Sequence, residues 1–311
     1  MPEPATSADS HWLADRFSTR FALPAVSLAH REVLRFLRQR SRVIGALATP
    51  ILIWVFLGSG MGRSFSVPDA GGQPMADGQP MAGGQAMADG PAMAGGQAGY
   101  LHYAFSGTMA LIVLFTSIFA SISIIEDRNE GFLQAVLVSP AWRSSIAVGK
   151  VLGAGVLAFG QAALFIALAP LAGVTLTVGG VLQTLGVLML VALGMSGLGF
   201  VTAFRTSSIQ GYHSIMNLLL FPMWLLSGAL FPLGGASVWI KVIMLANPLT
   251  YGVAALRHTL AGDGRAGSAG PTADAAMPSW TLSLVVTTLF AIVMIVAATW
   301  TAARPARTAA G

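Results

Sequence analysis

Residues 126–150 read EDRNEGFLQAVLVSPAWRSSIAVGK. Four charges, Glu126, Asp127, Arg128 and Glu130, fall within five positions, directly after one long apolar run and just before another. Only 9% of the chain is charged while 55% is hydrophobic. A cluster this dense therefore marks a point where the chain leaves one apolar element and enters the next, and it asks what lies outside them.

The surrounding composition answers for the solvent. A mean hydropathy of +0.72 with so few charges lies far from the mixture of soluble domains and points to an integral membrane protein. A bilayer core of roughly 30 Å takes about 20 helical residues to cross. Uncharged stretches of that length predict six spans, at Val43–Gly62, Leu101–Ile125, Ile146–Ala172, Val181–Phe204, Tyr212–Leu230 and Trp280–Ala303. Lys150 is the one charge inside these limits, near enough to an edge for its side chain to snorkel to water. With the N-terminus in the cytoplasm, 13 of the 17 basic residues fall on the inner side, leaving Arg63, Lys241, Arg257 and Arg265 outside. Anionic lipid at the inner face then accounts for the basic balance without any nucleic acid. Residues 1–23 lack the basic, then apolar, then small pattern of a cleaved signal and read as a cytoplasmic tail, as do residues 304–311. With no cysteine present, disulfide and thiolate chemistry are excluded.

Ahead of the first span, PAVSLAHREVLRFLRQRSR reads as an amphipathic helix lying in the inner interface. Val26, Ala29, Val33 and Leu37 share one face, and Arg31, Arg35, Arg38 and Arg42 lie nearly opposite. Its task is anchoring, with contact to a partner protein as the alternative. Residues 66–98 form a Gly-, Gln- and Met-rich insert with methionine at 75, 81, 87 and 93. That composition cannot build a core and reads as a flexible outer loop; as a soft ligand set it also raises Cu(I) binding, although no metal site is assigned. Gly149 and Gly153 have the spacing at which membrane helices approach closely. After the fifth span, Val238–Ala246 and Pro248–Leu260 read as two short segments dipping into the outer leaflet, with Pro248 in the first turn of the second.

The absent chemistry is informative too. Span middles carry no ionisable side chain, as a gradient-driven carrier would. No phosphate-binding GxxxxGK[ST] loop exists, and LSGAL at 226–230 lies inside an apolar span where no nucleotide reaches. The histidines are scattered, and His213 and His258 read as polar interface residues rather than catalysts. The chain is thus not an enzyme and has no engine of its own. That returns attention to Glu126–Val138, which reads as one short cytoplasmic helix with the acids at its start and Ser139-Pro140 at its end. A charged entrance with an apolar face between two spans suits a soluble partner that pushes on it.

The stretch EDRNEGFLQAVLVSPAWRSSIAVGKVLGAG, followed by GYHSIMNLLLFPMWLLSGALFPL and NPLTYGVAALRHTL, resembles ABC-2 type permeases over residues 25–303, in the branch of daunorubicin-resistance and nodulation-type exporters. The resemblance implies an all-α membrane domain over residues 24–303, pairing with a second copy or a similar chain above two cytosolic ABC ATPases that hold the ATP and Mg. It implies a coupling helix carrying Glu126, Asp127, Arg128, Glu130, Gly131, Phe132 and Leu133, and an outer re-entrant hairpin with Asn247, Pro248 and Tyr251. Cargo moving through an almost uncharged pathway would be lipophilic or amphipathic, with Gln161, Gln183 and Asn217 as candidate polar contacts or, alternatively, interhelical hydrogen bonds. A carrier or channel without an ATPase is the competing class.

Overall fold

A computed structural model of the chain describes residues 18–61, 96–174, 176–260 and 276–304. Most of the expected outer loop, with its methionine repeat, lies outside the described residues, as do most of the two expected tails. Among the described residues every regular element is helical. The α-helices, in chain order, are α1 (Leu23–Arg38), α2 (Arg40–Met61), α3 (Gly96–Asn129), α4 (Phe132–Leu137), α5 (Arg143–Phe165), α6 (Val178–Arg205), α7 (Ile209–Trp224), α8 (Val238–Ala246), α9 (Pro248–Leu260) and α10 (Trp280–Ala303). A 3-10 segment, Ile166–Ala172, prolongs α5.

Five helical segments are long and apolar enough to cross a membrane: Arg40–Leu57, Tyr100–Asn129, Arg143–Ala172, Val178–Arg205 and Trp280–Ala303. They match five of the six expected spans, and the bent pair α8–α9 is a further apolar candidate. The expected span Tyr212–Leu230 is interrupted. Its helix, α7, ends at Trp224, and a π-turn follows over Leu225–Ala229 in which Gly228 adopts φ +78°. Pro222, which has no N–H to give, sits one turn before the break.

Short polar residues start several helices. The side chains of Thr177, Ser208 and Ser279 accept from the backbone N–H groups of Gly180, Gly211 and Leu282, supplying orphan donors of α6, α7 and α10 with an acceptor. Between them the chain packs around α3. In its most apolar stretch 83% of residues are buried, against 17% for α2 and 22% for α10, so α3 is the central post and the other two present their apolar sides outward. Close approach depends on small residues. A Cβ on Gly199 would meet the Ser121 hydroxyl of α3, and Gly194 and Gly197 of α6 receive Phe290 and Met294 of α10.

The Gly149–Gly153 pair proves to be a seat for α1. A Cβ on Gly149 would lie 2.6 Å from the Ala25 carbonyl oxygen, and one on Gly153 would lie 2.7 Å from Cβ of Glu32. This seat turns α1 away from the orientation expected from its hydrophobic pattern. Ala25, Leu28, Glu32 and Phe36 are buried, while Val26 and Leu37 are exposed. Hydrophobicity alone puts Glu32 on the outside; a buried cation described below draws it in.

Gly149→Ala should therefore destabilise the protein by about 1–3 kcal/mol, because the obstructing atom is backbone and cannot rotate away. Gly160→Ala, where a Cβ meets nothing within 4 Å, should be neutral or up to about 1 kcal/mol stabilising. Thermal unfolding of the two variants in the same detergent compares them directly.

Candidate functional site

The charge cluster does not open a new helix. Glu126, Asp127 and Arg128 are the last turn of α3, which runs on to Asn129. Gly131, at φ +77°, then turns the chain, and α4 begins only at Phe132. The single helix expected over Glu126–Val138 is thus two helices divided by a left-handed residue, a conformation that glycine adopts without steric penalty. Its C-terminal limit stands, since α4 stops at Leu137 before Ser139-Pro140.

Acidic groups on a last turn face the negative end of the helix dipole, so they need cations. Those cations come from elsewhere in the chain. The Asp127 carboxylate is fully buried. It accepts from both terminal nitrogens of Arg31 at 3.2 and 3.1 Å, from Arg35 at 2.6 Å and from Lys150. Lys150, itself buried, also donates to Glu32 at 2.6 Å and to Ser123 at 3.1 Å. It does not snorkel to water, because two carboxylates and a hydroxyl use its three donors inside the protein. Glu126 accepts from Arg42 and lies 3.1 Å from Arg35, the second contact without hydrogen-bond alignment. Glu130, more than half exposed, pairs with Arg35 at 3.1 Å.

Four carboxylates (Glu32, Glu126, Asp127, Glu130) thus meet four cations (Arg31, Arg35, Arg42, Lys150), and the hub is neutral. Burial acts against the charged form of Arg35, but the carboxylates of Asp127, Glu126 and Glu130 outweigh it and hold the guanidinium above its ordinary value. The hub joins α1, α2, α3 and α5 in one place. It reaches α4 as well, for the Arg31 guanidinium lies 3.8 Å over the Phe132 ring. Leu133 is buried against Leu28 and Ile146. Arg128 points the other way and donates to carbonyls at the end of α6, Phe204 at 2.5 Å and, just past the helix, Thr206 at 2.9 Å.

Of the seven residues expected to act together here, Glu126, Asp127, Arg128 and Leu133 are therefore turned inward, Gly131 makes the turn, Phe132 is half-buried and Glu130 is exposed. Gln134 and Ala135 of α4, and Val138 beyond its end, are exposed, none of them singled out by the sequence. The cationic half of the hub was also missed. Part of its signal was present as the arginine stripe ahead of the first span, which supplies Arg31, Arg35 and Arg42, whereas Lys150 comes from α5.

At the opposite end of the bundle, α8 and α9 meet at 85°. Asn247 forms this elbow: its Oδ1 accepts from the Leu249 N–H at 3.0 Å, capping α9, and its Nδ2 donates to the Met223 carbonyl at 2.5 Å. Pro248 takes the first position of α9, where no N–H is needed. The Tyr251 hydroxyl donates back to the Leu245 carbonyl at 2.9 Å, and Thr250 donates to that of Met244 at 2.6 Å. The three expected residues are thus brought together, with Thr250 as an unforeseen fourth.

Gln161, Gln183 and Asn217 are not joined to one another by any hydrogen bond among the described residues. Gln161 is buried and accepts from Thr116 of α3, an interhelical bond. Gln183 is exposed on α6. Asn217 lines a groove between α3 and α7 with His213, Phe115 and Phe119.

Lys150→Met should cost about 3–5 kcal/mol, since it leaves Glu32 and Asp127 buried without their shared cation. Glu32→Gln added to Lys150→Met should recover part of that loss. Thermal unfolding of the single and double variants measures both.

A family model for ABC-2 type transporters matches residues 25–261. The chain is similar to a protein named transport permease ycf38 from Cyanophora paradoxa, 26% identical over 160 residues, which cover 51% of this chain and 55% of the relative. It is also similar to a protein named multidrug ABC transporter permease YbhR from Escherichia coli (strain K12), 26% identical over 155 residues, which cover 49% of this chain and 42% of the relative. The chain thus spans about half the length of these relatives.

Proposed function

The chain belongs to the ABC-2 type transporter family, and on that premise we propose that it is the membrane-spanning permease subunit of an ATP-driven exporter. It would move a lipophilic or amphipathic substrate out of the cell, while a separate cytosolic ABC ATPase binds ATP and Mg and hydrolyses the nucleotide. Two copies of the permease sit above two ATPases in a cell inner membrane, with the N- and C-termini of each in the cytoplasm. Lipid covers the outward apolar sides of α2 and α10.

The observation that carries this reading is the mounting of α4. A six-residue helix cannot hold its own geometry in water. Here it is set on a neutral ion-pair hub, buried at its centre, that reaches four other helices, with Gln134, Ala135 and Val138 left facing outward. A short helix fixed on its inner side and bare on its outer side is suited to take a push from a soluble partner and pass it to the bundle. Glu130 and the outer side of α4 meet the ATPase; Gly131, Phe132 and Leu133 connect that contact to α1; Glu126, Asp127 and Arg128 carry it to α3, α5 and α6. ATP binding draws the ATPases together, and the permease halves switch between two arrangements. The elbow at Asn247, Pro248 and Tyr251 is a re-entrant outer segment that closes the exit. Asn217 in the α3–α7 groove stays a candidate substrate contact, as does Gln183 on its exposed face, whereas Gln161 serves helix packing.

Affinity purification of the chain from its native membranes in mild detergent should bring down a soluble P-loop ATPase in equal amount. The double variant Glu130→Ala, Phe132→Ala should reach the membrane at the normal level yet lower coupled ATP hydrolysis and transport about tenfold or more, the loss typical of removing a contact that dominates an interface. A chain that purifies alone with its fold preserved, or a double variant that transports normally, would sink the reading.

A further inference from the structure

The break that ends α7 lies at the elbow end of the bundle, and the hub plays no part in holding it. Where a helix stops, its last carbonyls need donors. Here side chains of other elements supply them. The Gly228 carbonyl accepts from the Tyr103 hydroxyl of α3 at 2.9 Å and from Arg257 of α9 at 2.5 Å. The neighbouring turn is keyed into α3 by shape: a Cβ on Gly107 would lie 2.6 Å from that of Ala229, and the Trp224 indole donates to the Gly107 carbonyl at 2.9 Å.

Arg257 is the unusual member. It is 7% exposed, yet no carboxylate among the described residues pairs with it. Its charge is met by the Gly228 carbonyl, by the Ser106 hydroxyl at 3.1 Å, by the Tyr103 ring 3.8 Å from its guanidinium and by the Met277 sulfur at 3.8 Å. A guanidinium held by a carboxylate would strongly favour one arrangement. Held by neutral acceptors, it loses in desolvation much of what it gains in contacts, and on release it recovers water. Such a grip can be given up without leaving a carboxylate unpaired. The contrast is with Asp127 at the other end, whose charge is met by three cations.

We propose that Arg257 and Tyr103, gripping the Gly228 carbonyl between them, form the lock that keeps the elbow end of the permease closed. Release of that carbonyl lets the turn after α7 leave its socket at Gly107 and opens the exit. The inference rests on the export reading for its meaning in transport, but the lock itself is tested without nucleotide.

The chain has no cysteine, so a single introduced thiol reports cleanly. Ser227→Cys places one in the buried turn beside Gly228, and Ser196→Cys places one equally buried in the middle of α6. In native membranes without ATP, a membrane-impermeant maleimide should label Ser227→Cys at least about tenfold faster when Arg257→Gln is added, the effect of losing a charge-assisted hydrogen bond. Tyr103→Phe, which keeps the ring, should give a smaller increase and carries the same comparison should Arg257→Gln fail to reach the membrane. Ser196→Cys should label at the same slow rate throughout. Equal labelling of Ser227→Cys with and without the clamp substitutions overturns the lock, and so does a parallel rise at Ser196→Cys, which would mean general loosening. Either result leaves the pairing with an ATPase standing, and a chain purified without an ATPase leaves the labelling comparison readable.

Discussion

A carboxylate with no access to water at the last turn of the central helix is the constraint on which the rest of this architecture depends. Asp127 lies where the dipole of α3 is already negative, in a site that excludes solvent, so its charge persists only if cations converge on it. Arg31 and Arg35 must come from α1 and Lys150 from α5. That requirement places α1 in the glycine cleft of α5, since only there does Glu32 reach Lys150 while Arg31 and Arg35 reach Asp127. It also brings Arg31 over Phe132 and so sets the angle at which the short α4 leaves the bundle. Removing any one partner exposes the others to an interior that cannot solvate them, which makes the hub act as a single joint.

The two ends of the bundle solve the same problem, unsatisfied groups at helix ends, by opposite means. At the hub, charge meets charge and the positions of five helices follow. At the elbow, freed carbonyls receive neutral or single cationic donors: Asn247 on Met223, Tyr103 and Arg257 on Gly228, Thr250 on Met244. The helices between the two ends meet through close contacts of small residues, Gly199 on Ser121 among them. Paired charges thus hold one end of the bundle and neutral or single cationic donors the other, with close contacts of small residues between them.

Much of this was legible in the residues. Uncharged runs of about 20 residues predict spans because a bilayer core leaves few other options, and five of the six appear as continuous helices. The bounds of α8 and α9 followed from Asn247-Pro248, for proline fits a first turn and asparagine a cap. Gly149 and Gly153 announced a close helix contact without naming its partner. The interruption of the expected span at Tyr212–Leu230 was less visible, since Pro222 and Gly228 are both tolerated within membrane helices and only the donors on α3 and α9 stabilise the break.

By itself, then, the sequence determined the solvent, the approximate number and order of helices, the elbow, and the presence of a charged junction after the second span. Each follows from local composition acting through the bilayer or the backbone. The tertiary structure decided which way the charges face. Glu32, Asp127 and Lys150 are scattered along the chain, and whether a charged side chain seeks water or the interior depends on whether an opposite charge is already waiting there. That is a property of packed helices, not of any one of them, and it turned an apparent solvated entrance into a buried joint.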